Sequence, residues 1–168
     1  MAKMRSVVEA MLRRDQEKTL KAEYITRDDE DVLFVRRVGD YEKAPKDALD
    51  ALLLQVKRED VIAFYGMGLD DPHIVPKGKL RFDMCVSLNR QCVPSGEMAK
   101  KVLPGGPYAV FTYEGPYSKL EEYLADIYRY WYLTSGKELA DAQPIFEYVD
   151  LVEENDPPVT RIYLPLNS

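Results

Sequence analysis

Two cysteines, Cys85 and Cys92, and one histidine, His73, are all that this 168-residue chain offers of the side chains that most often bind metals or form nucleophile–base pairs. No CxxC spacing brings the cysteines together, so neither a zinc site nor a disulfide framework is expected. Cys85 reads as a small buried apolar residue. Positive charge is also scarce: 23 Lys and Arg stand against 29 Asp and Glu, a net charge of −6. Phosphate contact needs a basic surface, and Arg36-Arg37 and Lys100-Lys101 are pairs rather than patches, so direct nucleic-acid binding is not expected. No apolar run approaches the ~18 residues that suggest a membrane span. The N-terminal stretch MAKMRSVVEAMLRRD carries charges too often for a signal peptide. A cytoplasmic location is therefore the expectation. GxSxG, P-loop, GxGxxG and HExxH patterns are missing too, and no cofactor is called for.

What is present is a pattern stated twice. Residues 32–57 read VLFVRRVGDYEKAPKDALDALLLQVK, and residues 108–133 read YAVFTYEGPYSKLEEYLADIYRYWYL. Each is an apolar strand, a Gly-x-Tyr turn (Gly39 to Tyr41, Gly115 to Tyr117) and an amphipathic helix. Each is followed by a further strand and an Asp-Pro break, at Asp71-Pro72 and Asp156-Pro157. Duplication of a strand-helix-strand-strand (SHS2) unit predicts an α+β domain with a pseudo-twofold axis. Its antiparallel sheet would carry two long helices on one side, and the seam between halves is a natural ligand pocket.

Finer reading divides the chain into residues 1–19 and a main domain over 20–168. Met4, Val7, Val8, Met11 and Leu12 form one helical stripe in 3–17, which suits a cap, a linker or a homodimer contact. Segments 20–26 and 32–38 flank the turn RDDED and predict a hairpin. Helices are predicted over 43–58 and 117–133. Strands are predicted over 61–66, 80–88, 108–115, 144–152 and 160–166. Residues 89–105 read as turns. Arg81 and Asp83, with Asp71, read as a salt-bridge set that anchors the Gly/Pro-rich loop.

Twelve tyrosines and a single misplaced-looking carboxylate carry the functional reading. In PIFEYVDLV, alternation places Ile145, Glu147, Val149 and Leu151 on one face. Burying an unpaired carboxylate is costly. Glu147 must face water, pair with a cation such as Arg81, or hold its proton. At the floor of an aromatic pocket it would recognise lipophilic cations. Beside a tyrosine hydroxyl it could do acid–base work.

Three stretches in order, GLDDPHIVPKGKLRFDMCVSL, LPGGPYAVFTYEGPYSKL and WYLTSGKELADAQPIFEYV, together with the closing IYLPL, resemble the GyrI-like small-molecule-binding family. This family includes DNA gyrase inhibitory proteins and the effector-binding domains of AraC- and MerR-type transcription regulators. The resemblance covers about residues 20–166. It implies a duplicated fold with a pocket between the halves, holding a small amphipathic or cationic aromatic molecule. Glu147 matches the glutamate that meets cationic drugs. Tyr41, Phe111, Tyr113 and Trp131 match the aromatics around it, and Val149 shares the face of Glu147. The family's proline is absent from WYLTSG, so the helix is expected to run on and shift Trp131. Two alternatives stay open: a hydrolase of cyclopropane-type electrophiles using Glu147 and Tyr113, and a protein that inhibits gyrase by binding it. This chain carries no basic helix-turn-helix segment, so it is expected to be either a stand-alone member or the effector-binding domain of a longer regulator.

Overall fold

The computed structural model describes residues 20–168, so the helix expected over 3–17 lies outside the described residues. These residues form eight strands and two main helices: β1 (Glu23–Arg27), β2 (Glu30–Val38), α1 (Ala44–Leu53), β3 (Val61–Gly68), β4 (Arg81–Leu88), β5 (Ala99–Leu103), β6 (Gly106–Glu114), α2 (starting as Leu120–Asp126), β7 (Ile145–Tyr148) and β8 (Val159–Pro165). α2 continues through a π-helical stretch, Ile127–Tyr132, into a last turn, Leu133–Ser135. Gly136, at φ 69°, ends it with the left-handed geometry that glycine tolerates best.

The strands make one antiparallel sheet in the order β1-β6-β8-β7-β3-β4-β2-β5. The order mirrors the duplication. One unit is β2-α1-β3-β4, the other β6-α2-β7-β8, and they meet where β3 pairs with β7. That seam has Tyr65 opposite Glu147 and Gly66 opposite Phe146. Gly39 (φ 150°) and Gly115 (φ 155°) hold the equivalent turns in nearly the same conformation.

β1 and β5 are exchanged between the units. β1 precedes the first unit but pairs with β6 of the second, Glu23 opposite Val110. β5 precedes the second unit but pairs with β2 of the first, Glu30 opposite Leu103. Only Asp28 and Asp29 separate β1 from β2, so the two edges of the sheet are drawn together and the sheet curls. The Gly105 N–H donates to Asp29 Oδ1 at 2.6 Å, across the closure. A Cβ at Gly105 would come within 2.6 Å of the Arg27 carbonyl oxygen, which explains the glycine. The expected hairpin between 20–26 and 32–38 is thus corrected. The RDDED turn joins β1 at one edge to β2, next to the other edge, and β1 finds its partner in the second half. Residues 99–103, expected as turns, form the other edge strand.

Alternation gives the curl two different faces. On the outside, α1 lays Ala44, Ala48, Ala51 and Leu52 on Leu33, Val35, Phe64 and Met84. α2 lays Ile127 and Trp131 on Ala109, Phe111, Ile162 and Leu164. The inside is a separate cluster with contributions from every strand, among them Ile25, Val32, Tyr65, Cys85, Leu103, Tyr108, Ile145 and Tyr163. Both helices therefore lie on one side of the sheet, as the duplication implied. Burial pushes the Cys85 thiol up to about 12, in keeping with an inert core residue.

On the outer side a row of rings crosses the seam. Tyr41 meets Phe82 edge-on at 6.1 Å, and Tyr117 meets Tyr148 at 5.9 Å. Phe82 and Tyr148 close over Gly66, where a Cβ would collide with the Tyr148 hydroxyl and the Phe82 ring. Both turn tyrosines thus approach the pseudo-axis, but from the helical side.

The polar set around Arg81 also differs from expectation. Arg81 binds Asp70 through Nη2 (2.8 Å) and Nε (3.0 Å). Asp71 accepts the backbone N–H of His73 at 2.8 Å. Asp83 points to the inner face, fully buried, and takes Arg36 at 2.7 and 2.9 Å and Lys101 at 2.7 Å. The register explains the choice of partner, since Arg36 sits directly opposite Asp83. Burial would raise the Asp83 pKa, but its bonds to Arg36 and Lys101 outweigh burial and hold it below the ordinary 3.8.

Gly66→Ala should destabilise the protein by about 1 to 3 kcal/mol through overpacking at the seam. A lower urea midpoint with an unchanged slope would show it, and an unchanged midpoint would mean the rings yield freely. Asp83 adds a pH dependence. Its depressed pKa stabilises the fold above the unfolded-state value of about 3.9, and this is lost as pH falls through the folded value. Urea midpoints of Asp83→Asn between neutral pH and acid should fall less steeply below pH ~4 than those of wild type.

Candidate functional site

Glu147 lies on the inner face, half-buried, between Tyr65 of β3 and Arg161 of β8 in directly opposed pairs. Its closest partner is Tyr163, whose hydroxyl donates to Glu147 Oε1 at 2.6 Å. Burial first, and then the bond to Glu147, pushes the Tyr163 phenol up to about 12, so it keeps its proton and acts as donor. Arg161 stays charged: burial opposes this, but the bond to Tyr163 and the charge of Glu147 prevail. The carboxylate is therefore met by a neutral phenol and faced by one arginine across the strands. It does not pair with Arg81.

An aromatic wall stands beside it. Tyr108 and Tyr163 meet edge-on at 6.2 Å. Tyr65 completes a triangle with them, because the Arg27 guanidinium carbon lies 5.4 Å from the Tyr65 ring centre, 5.8 Å from Tyr108 and 5.1 Å from Tyr163. Burial, followed by the charge of Glu30, raises the pKa of Tyr65, so this phenol too is neutral. Tyr108 donates to the Pro104 carbonyl at 2.5 Å, which turns its ring inward against the closure of the curl. The arrangement offers three tyrosine rings and one carboxylate. Such a set can hold a flat or cationic molecule through ring faces and charge.

The residues expected to join Glu147 are split by the sheet. Tyr113 opposes Thr160, which opposes Tyr148, whereas Glu147 opposes Arg161; these are opposite faces. Tyr113 stacks on Tyr123 with ring centres 4.9 Å apart and donates to the Pro116 carbonyl at 2.7 Å. Phe111 and Trp131 pack edge-on at 5.0 Å beneath α2. The helix does run on, to Ser135, and Trp131 is held in that outer core at 9% exposure. Tyr41 donates to the Arg81 carbonyl at 2.8 Å and braces the first-unit turn. β7 ends at Tyr148, and Val149 lies in a 3-10 turn, Val149–Leu151, so it leaves the strand face of Glu147. The Glu147–Tyr113 pair required by the hydrolase reading is therefore not formed, because alternation along β6 sends Tyr113 to the helical side.

Tyr65, Tyr108, Tyr163 and Arg27 were not singled out from sequence. All four are brought to Glu147 by strand order, a long-range property. Alternation along TRIYLPL against PIFEYV was the one local signal that could have placed Tyr163 on the face of Glu147. Among the described residues, no group of three His, Cys, Asp or Glu side chains is placed to hold a metal.

With this geometry in hand, comparison with known proteins is decisive on family. The GyrI-like small molecule binding domain matches residues 22–167. The chain belongs to this family. The GyrI-like domain is 29% identical over 103 residues to the "SPbeta prophage-derived putative transcriptional regulator YosT" of Bacillus subtilis (strain 168), covering 58% of this chain and 68% of that protein. Its fold matches EcmrR in an EcmrR–DNA complex, with a TM-score of 0.68 at 16% identity over 100% of this chain and 66% of that one. It also matches a hydrolase encoded by lin2189 from Listeria innocua, with a TM-score of 0.62 at 14% identity over 92% and 98% of the two chains. SAV2435 bound to tetraphenylphosphonium matches with a TM-score of 0.59 at 11% identity over 89% and 95%. The GyrI-like domain is thus a small-molecule-binding domain with a transcription regulator among its relatives. It spans just under two thirds of the EcmrR chain. No described helix is long and apolar enough to cross a membrane.

Loss of the Glu147 charge should be visible at its partner. In Glu147→Gln the Tyr163 phenol should titrate lower than in wild type, while burial keeps it above the ordinary value near 10. A pH titration of ring-labelled tyrosine by NMR reads this directly. An unmoved Tyr163 resonance would mean that the bond is not made in solution.

Proposed function

We propose that this domain is the effector-binding part of a regulatory system and that it takes amphipathic aromatic cations on the inner face of the curled sheet. One observation carries the reading: Glu147, a half-buried carboxylate, sits beside three neutral tyrosines, and its hydrogen-bond partner among the described residues is a phenol. The rings supply attraction to any flat molecule, and the carboxylate selects positive charge. Tyr163 holds Glu147 in place without neutralising it. The tetraphenylphosphonium bound by SAV2435 supports cations as the class to test first. Because a gene regulator needs a reporter of ligand, and not its destruction, binding without turnover suits this role.

A second reading is hydrolysis of a strained electrophile. It is favoured by the short Tyr163–Glu147 bond, which puts a phenol and a carboxylate in proton-transfer distance. In that case Tyr163 replaces Tyr113 as the partner of Glu147.

Titration of the protein with tetraphenylphosphonium, followed by tyrosine and Trp131 fluorescence, tests the first reading. Saturable binding should weaken by about 1 to 3 kcal/mol in Glu147→Gln, the range for loss of a charged partner. Equal affinity in the two proteins would remove Glu147 from the cation site. Release of a ring-opened product from a cyclopropane-bearing electrophile, lost in Glu147→Gln and Tyr163→Phe, would instead establish the hydrolase.

A further inference from the structure

The place where a cationic ligand would stack is already filled, and by the chain itself. Arg27 is the last residue of β1, and its guanidinium lies 5.1 to 5.8 Å from the centres of Tyr65, Tyr108 and Tyr163. A single guanidinium within reach of three tyrosine rings is an aromatic cage with its cation in place. The side chain is only 14% exposed.

What holds Arg27 there is weak in directed bonds. Nη2 reaches the Tyr65 hydroxyl at 3.4 Å and Glu30 Oε1 at 3.6 Å, both long. Nη1 is buried with no hydrogen-bond partner among the described residues. A buried charged donor left unpaired is unfavourable, so ring attraction must offset that cost. Contrast Arg36, which makes two short bonds to Asp83. Arg36 is a structural cation, whereas Arg27 occupies a cage without being fastened in it.

The neighbourhood also gives Arg27 somewhere to go. Among the described residues β1 is an edge strand paired only with β6. Arg27 is followed at once by Asp28, Asp29, Glu30 and Asp31. Swung outward, the guanidinium would regain water and meet carboxylates, while the backbone pairing of β1 could stay as it is. Two states of one side chain, caged or solvated, are the requirement for competition with a ligand.

We propose that Arg27 is a tethered stand-in for the ligand, and that this site takes planar delocalised cations of the amidinium or guanidinium kind by displacing it from the Tyr65–Tyr108–Tyr163 cage. The inference rests on the cation-binding reading of the same site and adds the shape of the cation and the group it displaces. The apparent affinity of wild type is lowered by the fraction of molecules whose cage is closed. Every ligand that binds also releases Arg27 beside the acidic turn, so occupancy is reported at the sheet closure.

The experiment is a calorimetric titration of wild type, Arg27→Ala and Arg27→Met with benzamidinium, with benzoate as the anion of the same shape. Tetraphenylphosphonium is titrated into wild type alongside. Removing the plug should tighten benzamidinium binding by about tenfold or more, the effect of emptying a mostly occupied site. Ethylguanidinium should raise the Tm of Arg27→Ala more than that of wild type, by refilling the cage. Arg27→Met fills the space without charge and guards against a collapsed Arg27→Ala cage. If wild type binds tetraphenylphosphonium but neither variant gains affinity for benzamidinium, the stand-in is overturned and the cation-binding reading survives. If no folded variant and no wild type binds any of the cations, both are overturned. Benzoate binding by wild type that disappears in both variants would make Arg27 an anion-recognition group and overturn the displacement.

Discussion

At the central seam the two units meet within the sheet through two residue pairs, Tyr65 with Glu147 and Gly66 with Phe146. Backbone hydrogen bonding at this seam decides what each half presents to the other. On the inner side it sets a carboxylate directly beside a phenol from the other unit. On the outer side it leaves a glycine, and Phe82 and Tyr148 close over it. A one-residue slip in this register would turn Glu147 outward among apolar rings and bring Phe146 inward. The site therefore depends on packing that it does not itself contain. The outer rings fix the register, and the register places the carboxylate.

The inner face treats its two carboxylates differently, and the difference separates structure from function. Asp83 has no exposure and two cations within 2.9 Å. Its lone pairs are used and its charge is balanced, so it has nothing left to offer a ligand. Glu147 keeps partial exposure and bonds to a neutral donor. Its ladder partner, Arg161, acts on it across the strands as a charge. A buried charge that is fully satisfied stabilises a fold; one that is only oriented remains available. Arg27 completes the picture from the other sign, as a partly buried cation that is stacked but barely bonded.

The duplicated architecture was readable from residues, because each unit repeats a strand, a Gly-x-Tyr turn and a helix of the right period. α1 buries Ala44, Ala48, Leu52 and the nearby Val56 as its spacing predicts. Glu147 stood out for a local reason too, as an acid in an apolar alternation. The surroundings of Glu147 did not follow. Phe111 and Tyr113 share a strand with Tyr108 and Val110, and which pair faces inward depends on the partners β6 finds. The hairpin at RDDED failed for the same reason: local pattern favoured β2 as the partner of β1, but the tertiary arrangement gave it β6. β5 was hidden by the Pro and Gly residues around it. The π-helical stretch in α2, bonded i→i+5, follows a wider period than the α-helical spacing used to read the sequence, yet it sets Ile127 and Trp131 on one outer core.

The exchange of β1 and β5 has a consequence for how the molecule is made. During synthesis Glu23 emerges long before Val110, its partner, and β1 has no place in the sheet until β6 exists. The first unit likewise waits for β5 before its edge is covered. Neither half can finish alone, although each repeats the same design. The aromatic interior is closed by these long-range pairings, and contacts so far apart in sequence carry the loop-closure cost that slows their formation.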